Sequence, residues 1–201
     1  VFAELSRRYA ASPISFSFLN YAFLKDLLPM VETCQVDFAV IGTPSTNLKN
    51  ILGQLSNRTI EYHPIADNPI SALVGPENPL YCGPDTVPIE ALYTSPVVQY
   101  GSAAVDPTHC LPHITGLSAH AAGEILVNQA NLFYNIIQTT RAVGLVAYRP
   151  EAFVEGEEWP GIRPLRLADC AITAHYGWIK LRRLPLSDIA AEALAAIQEI
   201  F

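Results

Sequence analysis

The chain has 201 residues, half of them apolar and 15% charged, and a formal net charge of −7. That apolar content excludes an intrinsically disordered segment, and the densest basic run, Lys180, Arg182 and Arg183, is too short to neutralise a stretch of nucleic-acid phosphates. No apolar stretch reaches the roughly 18–20 residues of a membrane span, because Lys25, Asp26 and Glu32 interrupt the best one.

In chain order, Phe2, Leu5 and Tyr9 fall at helical spacing with Glu4, Arg7 and Arg8 among them, an amphipathic helix rather than a secretory signal. Because the chain opens inside that helical pattern, a longer parent protein is expected. Ser12-Pro13 ends the helix. Ile14, Phe16 and Phe18 alternate with Ser15 and Ser17, the period of a strand with one buried face. Leu24, Leu27, Leu28 and Val31 share a helical face, in a helix that Pro29 is expected to kink or split. Phe38–Ile41 reads as a short buried parallel strand.

Further apolar runs at Ser71–Val74, Val97-Val98, Ile125–Val127 and Leu145–Ala147 read as strands. Helices are expected at Asn131–Arg141 and Ser187–Phe201, the second with Ser187 as N-cap and Ile189, Ala193, Leu194, Ile197 and Phe201 as its buried stripe. The Pro-rich stretches Pro76–Pro88 and Pro150–Pro164 read as loops or edges. Strands alternating with helices imply an α/β fold with mostly parallel sheets.

The chemistry-bearing motifs are few. The dinucleotide and phosphate-loop fingerprints, the zinc-protease helix and any CxxC pair are missing, and Cys34, Cys82, Cys110 and Cys170 are spaced like free thiols of a reducing compartment. Gly116-Leu117-Ser118-Ala119-His120 approaches a nucleophile elbow, but His stands in place of the last glycine and no apolar strand leads into it. His109, Cys110, His113 and His120 lie close in sequence, yet Pro112 breaks the helix that would align them and no second ligand pair follows. Glu155, Glu157 and Glu158, beside Trp159, read as a solvated acidic run. No metal and no cofactor is expected.

One position does invite a ligand. Gly42-Thr43-Pro44-Ser45-Thr46-Asn47 directly follows the strand ending at Ile41, and ligands of open α/β sheets collect beyond the carboxyl ends of strands. Free N–H groups and small hydroxyls there can hold an anion. Asn20-Tyr21 follows the preceding strand in the same way, and Tyr100-Gly101-Ser102 repeats the arrangement after Val97-Val98.

Five segments, in order, resemble the effector-binding domain of LysR-type transcription regulators over nearly the whole chain. "CQVDFAVIG" is similar to the turn that leads into a buried strand, with Val36-Asp37 at its start. "YHPIADNPISALVGPENPLY" resembles paired strands ending in a His-Pro-Leu-like turn, here Asn78-Pro79-Leu80. "DTVPIEALYTSPVVQY" resembles the short helix and the strand after it, "NIIQTTRAVGLVAYRP" the helix–Gly–strand–Pro segment, and "PLSDIAAEALAAI" the closing helix. Ala142-Val143-Gly144 departs from the family's Gly-x-Gly, and the helix around Pro29 carries extra residues.

The resemblance implies a type 2 periplasmic-binding-protein-like fold: two Rossmann-like lobes joined by two crossover strands, with a small-molecule effector in the cleft. By that resemblance residues 1–98 plus 173–201 form the first lobe and 99–172 the second. Asn20, Tyr21, Gly42 and Thr43 would line the site from the first, and Ser102, Pro107, Thr108 and Gln129 from the second. The missing catalytic motifs and the free thiols point to a non-enzymatic, cytoplasmic domain, and a cleft with Tyr21, Thr43 and Ser102 suits an anionic or aromatic metabolite. The resemblance also implies a homodimer of the domain through helices near residues 1–10 and 131–141, a tetramer in the full-length protein, and DNA contact only through a winged helix-turn-helix domain absent from this chain. A transporter's solute-binding protein, an enzyme on the same fold, and a regulator that works by oligomerisation alone are the alternatives.

Overall fold

The computed structural model describes residues 5, 7–10, 14–19, 24–100, 110–147 and 160–199. Its helices are α1 (Leu24–Glu32), α2 (Leu48–Ser56), α3 (Leu111–Ile114), α4 (Ala130–Thr139) and α5 (Asp188–Gln198). Its strands are β1 (Ala39–Pro44), β2 (Ile60–Pro69), β3 (Ser71–Val74), β4 (Thr86–Val87), β5 (Pro96–Tyr100), β6 (Gly123–Val127), β7 (Val143–Val146), β8 (Arg163–Leu167) and β9 (Thr173–Leu181). They form two sheets, one of three strands in the order β1-β9-β2 and one of six in the order β4-β8-β3-β7-β5-β6.

The chain divides into two compact units, residues 1–41, 50–66 and 176–201 in the first and 42–49 and 67–175 in the second. β3, whose four residues are all buried, pairs antiparallel with both β7 and β8, so the chain has joined the larger sheet by Ser71. β5 follows it there, parallel to β6 and β7.

In the first unit, Leu28 and Val31 of α1 and Ile51 and Leu55 of α2 pack with Ala39, Ile60 and Ile179 from the three strands. Each such Leu, Ile or Val side chain removed from water contributes on the order of 1.5–3 kcal/mol. α1 runs through Pro29 unbroken, since the carbonyl that loses its partner belongs to Lys25, and both residues are exposed. The helix stops at Cys34, which takes the left-handed conformation (φ 57°) while Gln35 N–H donates to Met30 O at 2.9 Å and Cys34 N–H to Val31 O at 3.2 Å. That pattern closes the helix end in the way glycine usually does. Ile14–Leu19 is not a strand: its residues join no ladder, although Phe16 and Phe18 stack as i, i+2 neighbours of an extended segment at 6.3 Å. Ser187 caps α5 as expected, its Oγ accepting from Ala190 N–H at 3.2 Å.

In the second unit, Leu73, Val98, Val127, Phe133, Ile137, Val146 and Ile162 form the core. α4 lies so close to the sheet that a β-carbon on Gly144 would stand 2.5 Å from Phe133 Cζ, and one on Gly75 2.0 Å from the Ile137 carbonyl oxygen. The loop after β3 is held by Asn78, buried, whose Nδ2 donates to Ser95 Oγ at 3.0 Å and to Arg141 O at 2.6 Å while its Oδ1 accepts from Leu80 N–H at 3.0 Å.

Candidate functional site

β1 ends at Gly42-Thr43-Pro44, and the chain turns at once into α2. The turn is pinned within the second unit: Ser45 N–H donates to Thr173 O at 2.7 Å, and Ser45 Oγ accepts from Thr173 N–H at 3.3 Å. Asn47 N–H closes the turn on Pro44 O at 2.9 Å. Gly42 is exposed, whereas Thr43 is only 4% exposed and its hydroxyl has no hydrogen-bond partner among the described residues. A buried hydroxyl without a partner is destabilising by about 1–3 kcal/mol, so its presence at a strand end calls for a reason other than packing.

Two further polar side chains of the same unit share that condition. Asn68, 2% exposed near the end of β2, donates from Nδ2 to Ala147 O at 3.3 Å, and its Oδ1 is buried without a partner. Gln99 Oε1, near the end of β5, is likewise buried and unpartnered. The β5–β7 register sets Val98 beside Gly144, so Gln99 follows beside Leu145, two residues before the carbonyl that holds Asn68. Both groups therefore stand at the carboxyl ends of the parallel strands β5 and β7, where ligands of such sheets are bound.

Of the expected site residues, Asn20, Tyr21, Ser102, Pro107 and Thr108 lie outside the described residues. Gln129 is described: it is exposed and opens α4, its carbonyl accepting from Phe133 N–H at 3.1 Å, with no hydrogen bond from its side chain to the helix end. Asn68 and Gln99 were missed, since neither belongs to a motif: Asn68 lies within the segment that resembles paired strands, and Gln99 is one polar residue after Val97-Val98.

The rival chemistry lacks its geometry. An elbow strains the nucleophile itself, but the positive φ of 78° falls on Gly116 and not on Ser118, α3 rather than a strand precedes it, and Ser118 Oγ is buried with no base hydrogen-bonded to it. His120 instead stacks on Tyr93, centroids 4.6 Å apart, and His113 Nδ1 stands 3.8 Å from Glu124. Among the described residues no three His, Cys, Asp or Glu side chains stand together as a metal would require; His109 and the acidic run at Glu155–Glu158 lie outside them. Nor is any described helix long and apolar enough to cross a membrane.

Among the polar clusters of the first unit is one on β2 and β9. The Lys180 ammonium beside Glu61, and then His63 at 3.1 Å, hold the Glu61 carboxyl below its ordinary range, while the His63 ring stacks on Trp178 with centroids 4.2 Å apart. Buried surroundings push the Cys170 thiol upward.

Two discontinuous α/β units, one holding most of the three-stranded sheet and the other the six-stranded one, give the two-lobed periplasmic-binding-protein-like fold. Many solved structures with this fold are LysR-family transcriptional regulators and their effector-binding domains. The regulatory domain of CcmR from Synechocystis PCC6803, solved with 2-PG, is similar at a TM-score of 0.64 and 15% identity, covering 99% of this chain and 88% of that one. The effector-binding domain of QuiR, solved with shikimate, is similar at 0.60 and 14%, covering 98% and 88%. HinK, a LysR-family regulator from Pseudomonas aeruginosa, is similar at 0.63 and 16%; the match covers 98% of this chain and 64% of HinK, so the chain spans less than two thirds of that regulator. No protein-family profile matches the chain, and no curated protein sequence matches it.

Proposed function

We propose that this chain is the small-molecule-sensing regulatory domain of a LysR-type transcription regulator. The observation that carries the reading is the Thr43 hydroxyl, buried and unpartnered at the carboxyl end of β1, in a domain with this fold over almost its whole length. Gly42, Thr43 and Gln129, with Asn20, Tyr21, Ser102, Pro107 and Thr108, are the residues assigned to the effector. Two similar domains were solved with small molecules, shikimate for QuiR and 2-PG for CcmR, and the carboxylate of shikimate supports an anionic effector here. The domain makes no bond in its ligand; the effector acts by preferring one conformation, and only that difference in affinity can alter the output. In the cytoplasm the whole protein would pair through this domain and reach DNA through a separate one.

The test is a thermal-shift screen of carboxylate and aromatic metabolites. At 100 times its dissociation constant a ligand adds about 2.7 kcal/mol, a rise of roughly 5–10 °C in a chain of this size. Thr43→Val should abolish the shift while leaving the unliganded protein as stable or more so, since the methyl group needs no partner. A screen without a hit, or a Thr43→Val protein that binds as before, refutes the reading.

A further inference from the structure

We infer that the ligand of the second unit is a hydroxylated carboxylate, whose hydroxyl groups donate hydrogen bonds to Asn68 Oδ1 and Gln99 Oε1. This rests on the sensing function proposed above and gives it a chemical class. The polarity of the Asn68 amide is set by its surroundings. Its Nδ2 faces the Ala147 carbonyl at 3.3 Å, and turning the amide over would put oxygen against oxygen, so the unpartnered atom is the acceptor. Asn68 is 2% exposed, which leaves its Oδ1 without access to bulk solvent. Gln99 places a second buried, unpartnered oxygen at the end of the neighbouring parallel ladder.

An acceptor oxygen repels a carboxylate and gains nothing from an aromatic face. What it takes is an O–H or N–H donor. Simple aromatic and aliphatic acids therefore leave both amide oxygens unsatisfied in the complex, whereas an acid carrying hydroxyl groups along its skeleton satisfies them. Sites built to bind a hydroxyl reject the analogue without it strongly, because their own buried polar groups are then unpaired.

The experiment uses the full chain and matched acids: quinate against cyclohexanecarboxylate, gluconate against hexanoate, and glycerate against propionate, with affinities from calorimetry. At least one hydroxylated member should bind 10-fold or more tighter than its partner, the order of effect of one or two hydrogen bonds. Gln99→Met keeps the length of the side chain and removes the acceptor; it should shrink that ratio several-fold without lowering the melting temperature of the unliganded protein. Asn68→Leu should shrink the ratio as well, with a lower melting temperature because the Ala147 carbonyl loses its donor. Equal binding within every pair, or a Gln99→Met protein with an unchanged ratio, overturns the inference and leaves the sensing function standing. So does a ligand from the broader metabolite screen when none of the hydroxylated acids binds. If neither set binds, both fall.

Discussion

Replacing Gly144 by alanine tests how closely α4 is seated on the larger sheet. The new β-carbon would lie 2.5 Å from Phe133 Cζ and 2.6 Å from Ile137 Cδ1. Carbon atoms rest about 3.5–4.0 Å apart, so the ring tip and the methyl group must each retreat by about 1 Å inside a packed core. Overpacking of that size is destabilising by about 1–3 kcal/mol, and each kcal/mol moves the melting temperature by about 2–4 °C in a chain this long. Gly75→Ala should be worse, because the obstruction at 2.0 Å is a helix carbonyl that can yield only if α4 moves. Gly53→Ala is the control: nothing lies within 4 Å, the site is an exposed interior position of α2, and the expected effect is a gain of about 0.5–1 kcal/mol. Urea denaturation of the three variants, with Phe133→Leu alone and combined with Gly144→Ala, completes the assay. Leucine is shorter than phenylalanine, so the double variant should lose less than the sum of the singles, by about 0.5 kcal/mol or more. Additive losses, or a Gly75 variant milder than the Gly144 one, would refute the packing argument.

Cys34→Gly should raise stability by about 1 kcal/mol, since the left-handed backbone at the end of α1 is strained for any side chain; a lower urea midpoint would contradict that. The Glu61 carboxyl is held below its ordinary value of 4.5 by Lys180 and His63, so its contribution is complete above that pH and is lost as pH falls through the lowered value. The difference in urea midpoint between the wild type and Glu61→Gln should thus be present at pH 6 and close on acidification; a gap that widens in acid would show the sign to be wrong. Cys34 and Cys82 are exposed and should react with a thiol reagent at pH 8 well before Cys170, whose thiol is desolvated; labelling of Cys170 at the same rate would show that burial does not govern it.

Much of the second unit was legible in sequence because its strands are short, apolar and bounded by turn residues: Ser71–Val74 is a strand to the residue, β5 and β6 contain the runs expected of them, and β7 takes in Leu145 and Val146 but stops before Ala147. β2 was harder to read from periodicity. Pro64 and Pro69 interrupt the pattern, and both are exposed on a strand at the rim of its sheet, where a missing N–H is tolerated. Ile14–Phe18 misled in the opposite direction, for alternation specifies which face a strand would bury and not whether a neighbour exists to pair with it. The site shows the same limit. Thr43 could be placed by rule, at the end of a strand, but the orphaned oxygens of Asn68 and Gln99 depend on what does not reach them in three dimensions, and spacing along the chain carries no trace of that.

The order β1-β9-β2 has a consequence for how the chain is made. β9 is the middle strand of the smaller sheet, yet it is supplied by residues 173–181, more than a hundred positions after β2 ends. During synthesis, β1 and β2 leave the ribosome with no strand to join, and the larger sheet, which closes once Leu167 is out, can be complete before them. β1 and β2, though translated before the larger sheet, are thus among the last elements to be paired, and they wait through that interval with their strand edges open, the condition under which nascent proteins aggregate or recruit chaperones.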